Sequence, residues 1–88
     1  MPVSESTAAF LEAAANDLER QLRGSGHVRN VRTVELSGHV TLLAAVDVGR
    51  TTLELTGTGA NLVVAYGDLL RRVAEPMLAA AYREVLSA

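Results

Sequence analysis

Side chains able to act as general bases are few in this chain. It has two histidines, His27 and His39, and both follow a glycine in short turns without a carboxylate or hydroxyl at a spacing that would orient the ring. Asp47 and Glu54 fall on neighbouring strands, on the face opposite the apolar stripe, where charged groups are solvated. Two separate histidines and no cysteine also make a poor metal-ligand set. We therefore expect a non-enzymatic protein without metal, cofactor or small-molecule substrate.

The chain has one glycine-rich loop, Gly57-Thr58-Gly59-Ala60-Asn61, between a predicted strand and a predicted helix. The free N–H groups of a helix that begins after glycines can bind phosphate. The third glycine of the dinucleotide-binding pattern is absent, however, and no P-loop lysine follows. A structural turn is the favoured interpretation.

The charge balance bears on the class of partner. Ten acidic and eight basic residues, all of the latter arginine, give a formal charge of -2, which excludes a domain that acts mainly by non-specific attraction to phosphate or anionic lipid. A local basic patch remains open. No apolar stretch approaches the roughly 18 residues that span a membrane, so we expect a cytoplasmic protein without membrane contact. The candidate nucleic-acid contacts are Arg23, Arg29, Arg71 and Arg72.

A first amphipathic helix is predicted over residues 5–23. Apolar residues recur there at spacings of three and four, with charged and amide side chains between them. Ser4 or Ser6 is a suitable N-cap, and Gly24-Ser25-Gly26 ends the helix.

From residue 28 to 56 the apolar period changes to two, which predicts strands. A type II′ turn at Gly49-Arg50 pairs Val48 with Thr51, Val46 with Leu53 and Ala44 with Leu55, so the apolar side chains of both strands share one face. The preceding strand, 28–36, is less regular and needs a bulge near Arg32. A turn at Ser37-Gly38-His39 then closes a second hairpin.

The last third of the chain, residues 61–86, is predicted to be helical. Pro76 should kink it or divide it into 62–75 and 77–87. A strand over Leu62 to Tyr66, followed by a shorter helix capped by Asp68, is the competing interpretation. We expect an α+β fold in the order α-β-β-β-α, a three-stranded antiparallel meander with two helices packed on one face, as a single domain over residues 1–88.

This order of elements resembles the double-stranded RNA-binding domain over nearly the whole chain. Ser37-Gly38-His39 stands where that family has Gly-Pro-x-His, and the segment from Gly57 to Ala65 stands where its last helix opens with G-x-G-x-S-K-K-x-A. The family's two phosphate-binding lysines fall on Leu62 and Val63, and the proline of the turn is missing. The resemblance implies that fold and, as an alternative function, nucleic-acid binding. The small dimeric nucleoid-associated proteins of the YbaB type share the topology but no motif.

The last helix carries more apolar surface than one small sheet can cover. Leu62, Val63 and Val64 point in three directions, and the segment from Met77 to Tyr82 has almost no polar side. The core is also poor in large groups, since three residues are aromatic. The sequence therefore predicts a homodimer, a larger homo-oligomer or a module that binds a protein partner. The predicted interface consists of Leu62, Val63, Met77, Leu78, Ala81, Tyr82, Val85 and Leu86.

Overall fold

Three strands and three helices follow one another along the chain in the computed structural model, which describes residues 4–87. The elements are α1 (Glu5–Leu22), β1 (His27–Leu36), β2 (His39–Val48), β3 (Thr51–Gly59), α2 (Leu62–Arg72) and α3 (Ala74–Ser87). The strands form one antiparallel sheet in the order β1-β2-β3. The predicted α+β meander is confirmed, with the last helical segment divided into two helices.

Helix α1 begins and ends where its capping residues require. Ser4 is extended and its hydroxyl accepts a hydrogen bond from the Thr7 N–H at 3.2 Å, as an N-cap does. Arg23 ends the helix in the left-handed conformation at φ 51°, and its N–H bonds the Arg20 carbonyl. The helix buries Ala14, Leu18 and Leu22. This is the predicted helix, with its last predicted residue acting as the C-cap.

The β2–β3 hairpin has the predicted register. Val48 lies opposite Thr51, Val46 opposite Leu53 and Ala44 opposite Leu55. Gly49 takes the positive φ, 59°, that the first central position of a type II′ turn needs. Alternation therefore places one set of β2 side chains, Leu42, Ala44, Val46 and Val48, in the core.

The bulge in β1 lies at Arg29, not near Arg32 as predicted. The register shifts between Val28 and Asn30, so Arg29 is the extra residue. This position lets Val28 face Val46 and Val31 face Ala44 on the same side of the sheet. A bulge at Arg32 would come too late to bring both valines onto the covered face.

The helices cover one face of the sheet, α1 along β1 and α2 along β3. Leu18, Leu42 and Leu69 are each at most 1% exposed where the two layers meet. Helix α2 passes so close to β3 that a Cβ at Gly57 would collide with the backbone of Ala65 and Leu69. Glycine at this position is what allows the close helix–strand contact.

The chain breaks at Val73, three residues before the predicted position at Pro76. A proline ring clashes with the carbonyl four residues earlier, here Arg72, so the turn before the proline must open. Pro76 itself lies in the first turn of α3, where an N–H would have no partner within the helix.

The competing prediction of a strand over Leu62 to Tyr66 is wrong. Those residues form the first part of α2. Asn61 is the N-cap of this helix, and its side-chain oxygen accepts the Val64 N–H at 2.9 Å. Asp68 lies within α2 and does not cap it.

Candidate interaction surface

One side of α3 is held against the body of the protein. Met77 and Ala80 are 9% and 2% exposed. Glu84 accepts hydrogen bonds from the Arg50 N–H and, at 3.4 Å, from the Thr51 hydroxyl. These contacts attach α3 to the β2–β3 turn and fix which of its sides faces solvent.

A second side of α3, about a third of a turn around the helix from the first, is apolar and exposed. Leu78, Tyr82 and Val85 are 65%, 65% and 74% exposed, and with Ala81 they surround a shallow hollow of about 270 Å³. These four residues, here called the α3 stripe, have the i, i+3, i+4, i+7 spacing of one helix face. Contiguous apolar surface of this kind marks interaction sites.

The predicted interface residues do not form one surface. Leu78, Ala81, Tyr82, Val85 and Leu86 are exposed on α3, whereas Met77 belongs to the core. Leu62 and Val63 lie at the start of α2, away from α3. The sequence missed this division because helix spacing alone does not show which side of α3 the body covers.

Leu62 and Val63 contribute to a groove that sequence reasoning did not find. Its volume is about 490 Å³, and it lies where the beginning of α1, the end of β1 and the beginning of α2 meet. Val63 is 70% exposed there. The groove is formed by chain segments distant in sequence, so no local pattern could indicate it. Its lining is mixed, with apolar side chains from Phe10, Val40, Ala60, Leu62 and Val63 and polar or charged ones from Ser6, Thr7, Glu35 and Asn61.

One wall of this groove is positioned by a contact between α1 and α2. The Tyr66 hydroxyl donates a hydrogen bond of 2.6 Å to Asp17 Oδ2, and the Phe10 ring meets the Tyr66 ring edge to face at 6.4 Å. The hydrogen bond from Tyr66 lowers the pKa of Asp17, with a further contribution from Arg20. Burial, and then the bond to Asp17, raises the pKa of Tyr66.

Three of the four candidate nucleic-acid contacts are engaged in ion pairs. Arg71 and Arg72 contact Asp68 at 2.8 and 3.2 Å, and Arg29 contacts Asp47 at 3.0 Å. Arg23 has no carboxylate within 4 Å among the residues the structure describes. Arg23 and Arg29 lie on the β1 side of the sheet and the other two on the β3 side, so the four do not form one patch.

Asp68 is the one buried charged side chain among the described residues. Its carboxylate accepts the Thr58 N–H of β3 at 3.0 Å, and that hydrogen bond is the main cause of the lowered pKa of Asp68. Burial acts in the opposite direction, and the charge of Arg72 lowers the pKa further. The two arginines, which lie on α2 themselves, balance the charge of the Asp68 carboxylate that joins α2 to β3.

The expectation that neither histidine has a carboxylate partner is wrong for His27. Glu19 Oε1, from α1, lies 2.9 Å from His27 Nδ1 and also accepts the Val28 N–H. The His27 side chain is 73% exposed, and no described hydroxyl is hydrogen-bonded to it. The contact joins α1 to β1.

Residues 4–87 contain no group of three or more histidine, cysteine, aspartate or glutamate side chains placed to hold a metal ion. None of the helices described has the length and apolar character to cross a bilayer.

Comparison of the chain with protein-family models, with curated proteins and with solved structures gave no significant match.

Proposed function

We propose that this protein is a small non-enzymatic module that associates with further copies of itself through the α3 stripe. The observation that supports this proposal is the exposure of three large apolar side chains, Leu78, Tyr82 and Val85, on one helix face. Association would remove them from water.

The size of the stripe indicates reversible association. Full burial of a side chain such as Leu contributes about 1.5–3 kcal/mol. Four side chains supply less than the roughly 800 Å² per partner that a stable interface buries. We therefore expect assembly that depends on concentration in the micromolar range.

The arginine contacts favour this proposal over nucleic-acid binding. Arg71 and Arg72 already share the charge of Asp68, a buried carboxylate, which lowers the net positive charge that they offer to phosphates. A gel shift with duplex RNA that weakened steeply with salt and was lost in the Arg71→Ala, Arg72→Ala double variant would reverse the ranking.

Light scattering across the micromolar range tests the proposal. Wild type should exceed the monomer mass of 9.3 kDa, and Leu78→Glu should return it to that mass because a charge would be buried in the contact. Ala79→Glu is the matched control, since it adds the same charge to an exposed position about 100° away around the helix. Circular dichroism should be unchanged in both variants. A wild type that stays at 9.3 kDa, or a Leu78→Glu variant that still assembles, would contradict the proposal.

A further inference from the structure

Helix α3 is attached to the body of the protein by few apolar contacts. Within the described part of the chain, its buried residues are Met77 and Ala80, and alanine adds little apolar area. The Met77 methyl group lies over Gly26, where a Cβ would come within 3.1 Å of it. The large side chains of the α3 stripe are exposed to solvent instead. The apolar attachment of α3 therefore depends mainly on Met77, a long and flexible side chain.

The polar attachment of α3 is near the other end of the helix. Glu84 accepts hydrogen bonds from the Arg50 N–H and the Thr51 hydroxyl, at the turn that follows β2. Gly49 makes this approach possible, because a Cβ at that position would collide with the Glu84 side chain. Over residues 74–86, no other side chain forms a hydrogen bond or ion pair with the described body of the protein. Bonds to a charged acceptor are stronger than bonds between neutral groups, so Glu84 is a main point of attachment.

The connection between α2 and α3 is a single residue. Val73 stands between the two helices, and Pro76 has no N–H to donate to the Arg72 carbonyl. The series of backbone hydrogen bonds along the helices is therefore interrupted at this point. Hinges in proteins are formed by a few residues at the ends of elements, which absorb a change in φ and ψ. Val73 has this position, so α3 can rotate against α2 while both remain helical.

The rest of the protein has a core that is formed largely without α3. Helix α1, the sheet and α2 meet around Leu18, Leu42 and Leu69, each at most 1% exposed. Leu42 lies opposite Gly57, toward the end of the sheet away from the turn that Glu84 contacts. Segments whose detachment breaks few apolar contacts open at a lower free energy than the whole protein unfolds. Detachment of α3 would therefore leave the other elements folded.

From these contacts we propose that α3 is a hinged arm, which moves off the body as a unit about Val73 and is held closed by Glu84 as its latch. In the closed state the body covers Met77 and Ala80, and α3 presents the α3 stripe to solvent. In the open state Met77 and the stripe are in solvent together, so the arm is apolar on two sides. The latch thereby controls how much apolar surface one copy presents. The opening occurs within a single copy and does not depend on self-association.

Hydrogen exchange followed by mass spectrometry tests the arm with two variants that act on different parts of the molecule. The protein concentration is kept below the micromolar range, so that single copies are measured. Glu84→Ala weakens the closed state, and exchange should become about fivefold faster throughout α3, as the loss of one hydrogen bond predicts. Leu42→Val removes a methylene from the core, which is intact whether the arm is open or closed. It should make exchange in β2 about fivefold faster and leave exchange in α3 at the wild-type rate.

Arg83→Ala is the matched control and should exchange like wild type, because it removes an exposed α3 side chain that has no partner among the described residues. Equal acceleration of β2 and α3 in Leu42→Val would overturn the inference, because α3 would then open only when the whole protein unfolds. Acceleration confined to residues 82–87 in Glu84→Ala would overturn it too, since that pattern is fraying of the helix end. No acceleration in Glu84→Ala would show that Glu84 is not the latch. None of these outcomes bears on self-association, which light scattering tests independently.

Discussion

Helices α1 and α3 differ in where they place their large side chains. Helix α1 puts Leu18 and Leu22 against the sheet, with exposures of 0% and 7%. Helix α3 puts Met77 and Ala80 against the body and leaves Leu78 and Tyr82 in solvent. Burial of a large apolar side chain stabilises a helix more than burial of a small one. Covering the exposed side of α3 would therefore add stabilisation that a single copy does not supply.

The largest effect should come from substitutions that compare these two helices directly. Leu18→Ala removes a fully buried side chain and should lower the free energy of unfolding by about 2–5 kcal/mol. Leu78→Ala at low protein concentration should change it by no more than about 0.5 kcal/mol, as surface substitutions do. Urea denaturation of both variants measures the difference. A large loss from Leu78→Ala in the monomer would mean that α3 packs differently on the body.

A smaller effect should come from the attachment of α3 to the β2–β3 turn. Gly49 and Gly38 both have positive φ, but a Cβ at Gly49 would displace Glu84, whereas a Cβ at Gly38 would meet open space. Gly38→Ala should cost about 1 kcal/mol from backbone conformation alone, and Gly49→Ala about 1 kcal/mol more because Glu84 would lose its bond to the Arg50 N–H. Thermal melts of the pair check this, and equal losses would show that Glu84 does not hold α3.

The contact that joins α1 to α2 should be sensitive to pH. The pKa of Asp17 is lower in the folded state than its ordinary value of 3.8, so its contribution to stability is complete above that value and is lost as the pH falls through the lower folded pKa. Tyr66→Phe removes the bond that is the main cause and should cost about 1 kcal/mol at neutral pH. Its unfolding free energy should also fall less steeply than that of wild type below about pH 4. Parallel acid-limb curves would contradict this assignment.

The smallest effects are expected on the open face of the sheet. Asp47 and Glu54 pair with Arg29 and Arg32 across exposed surface. Asp47→Ala and Glu54→Ala should each change stability by no more than about 0.5 kcal/mol and leave assembly intact. A larger loss, or a change in assembled mass, would place the contact on the sheet rather than on the helices.

Local periodicity determined how much could be predicted from the sequence. The register of Val46 with Leu53 follows from alternation and one turn, and α1 follows from apolar spacing with a serine cap. The bulge at Arg29 depends on which valines α1 covers, and the break at Val73 depends on where the ring of Pro76 clashes. The bulge involves elements distant in sequence, whereas the break follows from a clash four residues along the chain, so the error there was to place the break at the proline itself.

The candidate surfaces were also predicted only in part from the sequence. Exposure of Leu78 and Tyr82 followed from the excess of apolar residues in the last helix. Burial of Met77 and formation of the groove beside Phe10 required the positions of several elements at once. Sequence patterns therefore predicted exposed apolar side chains on the last helix, but neither which of them the body covers nor the groove.

The bond between Asp68 and the Thr58 N–H has a consequence for how copies of this protein can aggregate. An outer strand with free N–H groups is a template on which other chains add strands and form fibrils. Asp68 accepts one such N–H, that of Thr58 on β3, and the bulge at Arg29 interrupts β1, the outer strand at the other edge of the sheet. Assemblies formed at high concentration should therefore dissociate on dilution, because contacts between side chains separate more readily than continuous backbone hydrogen bonds.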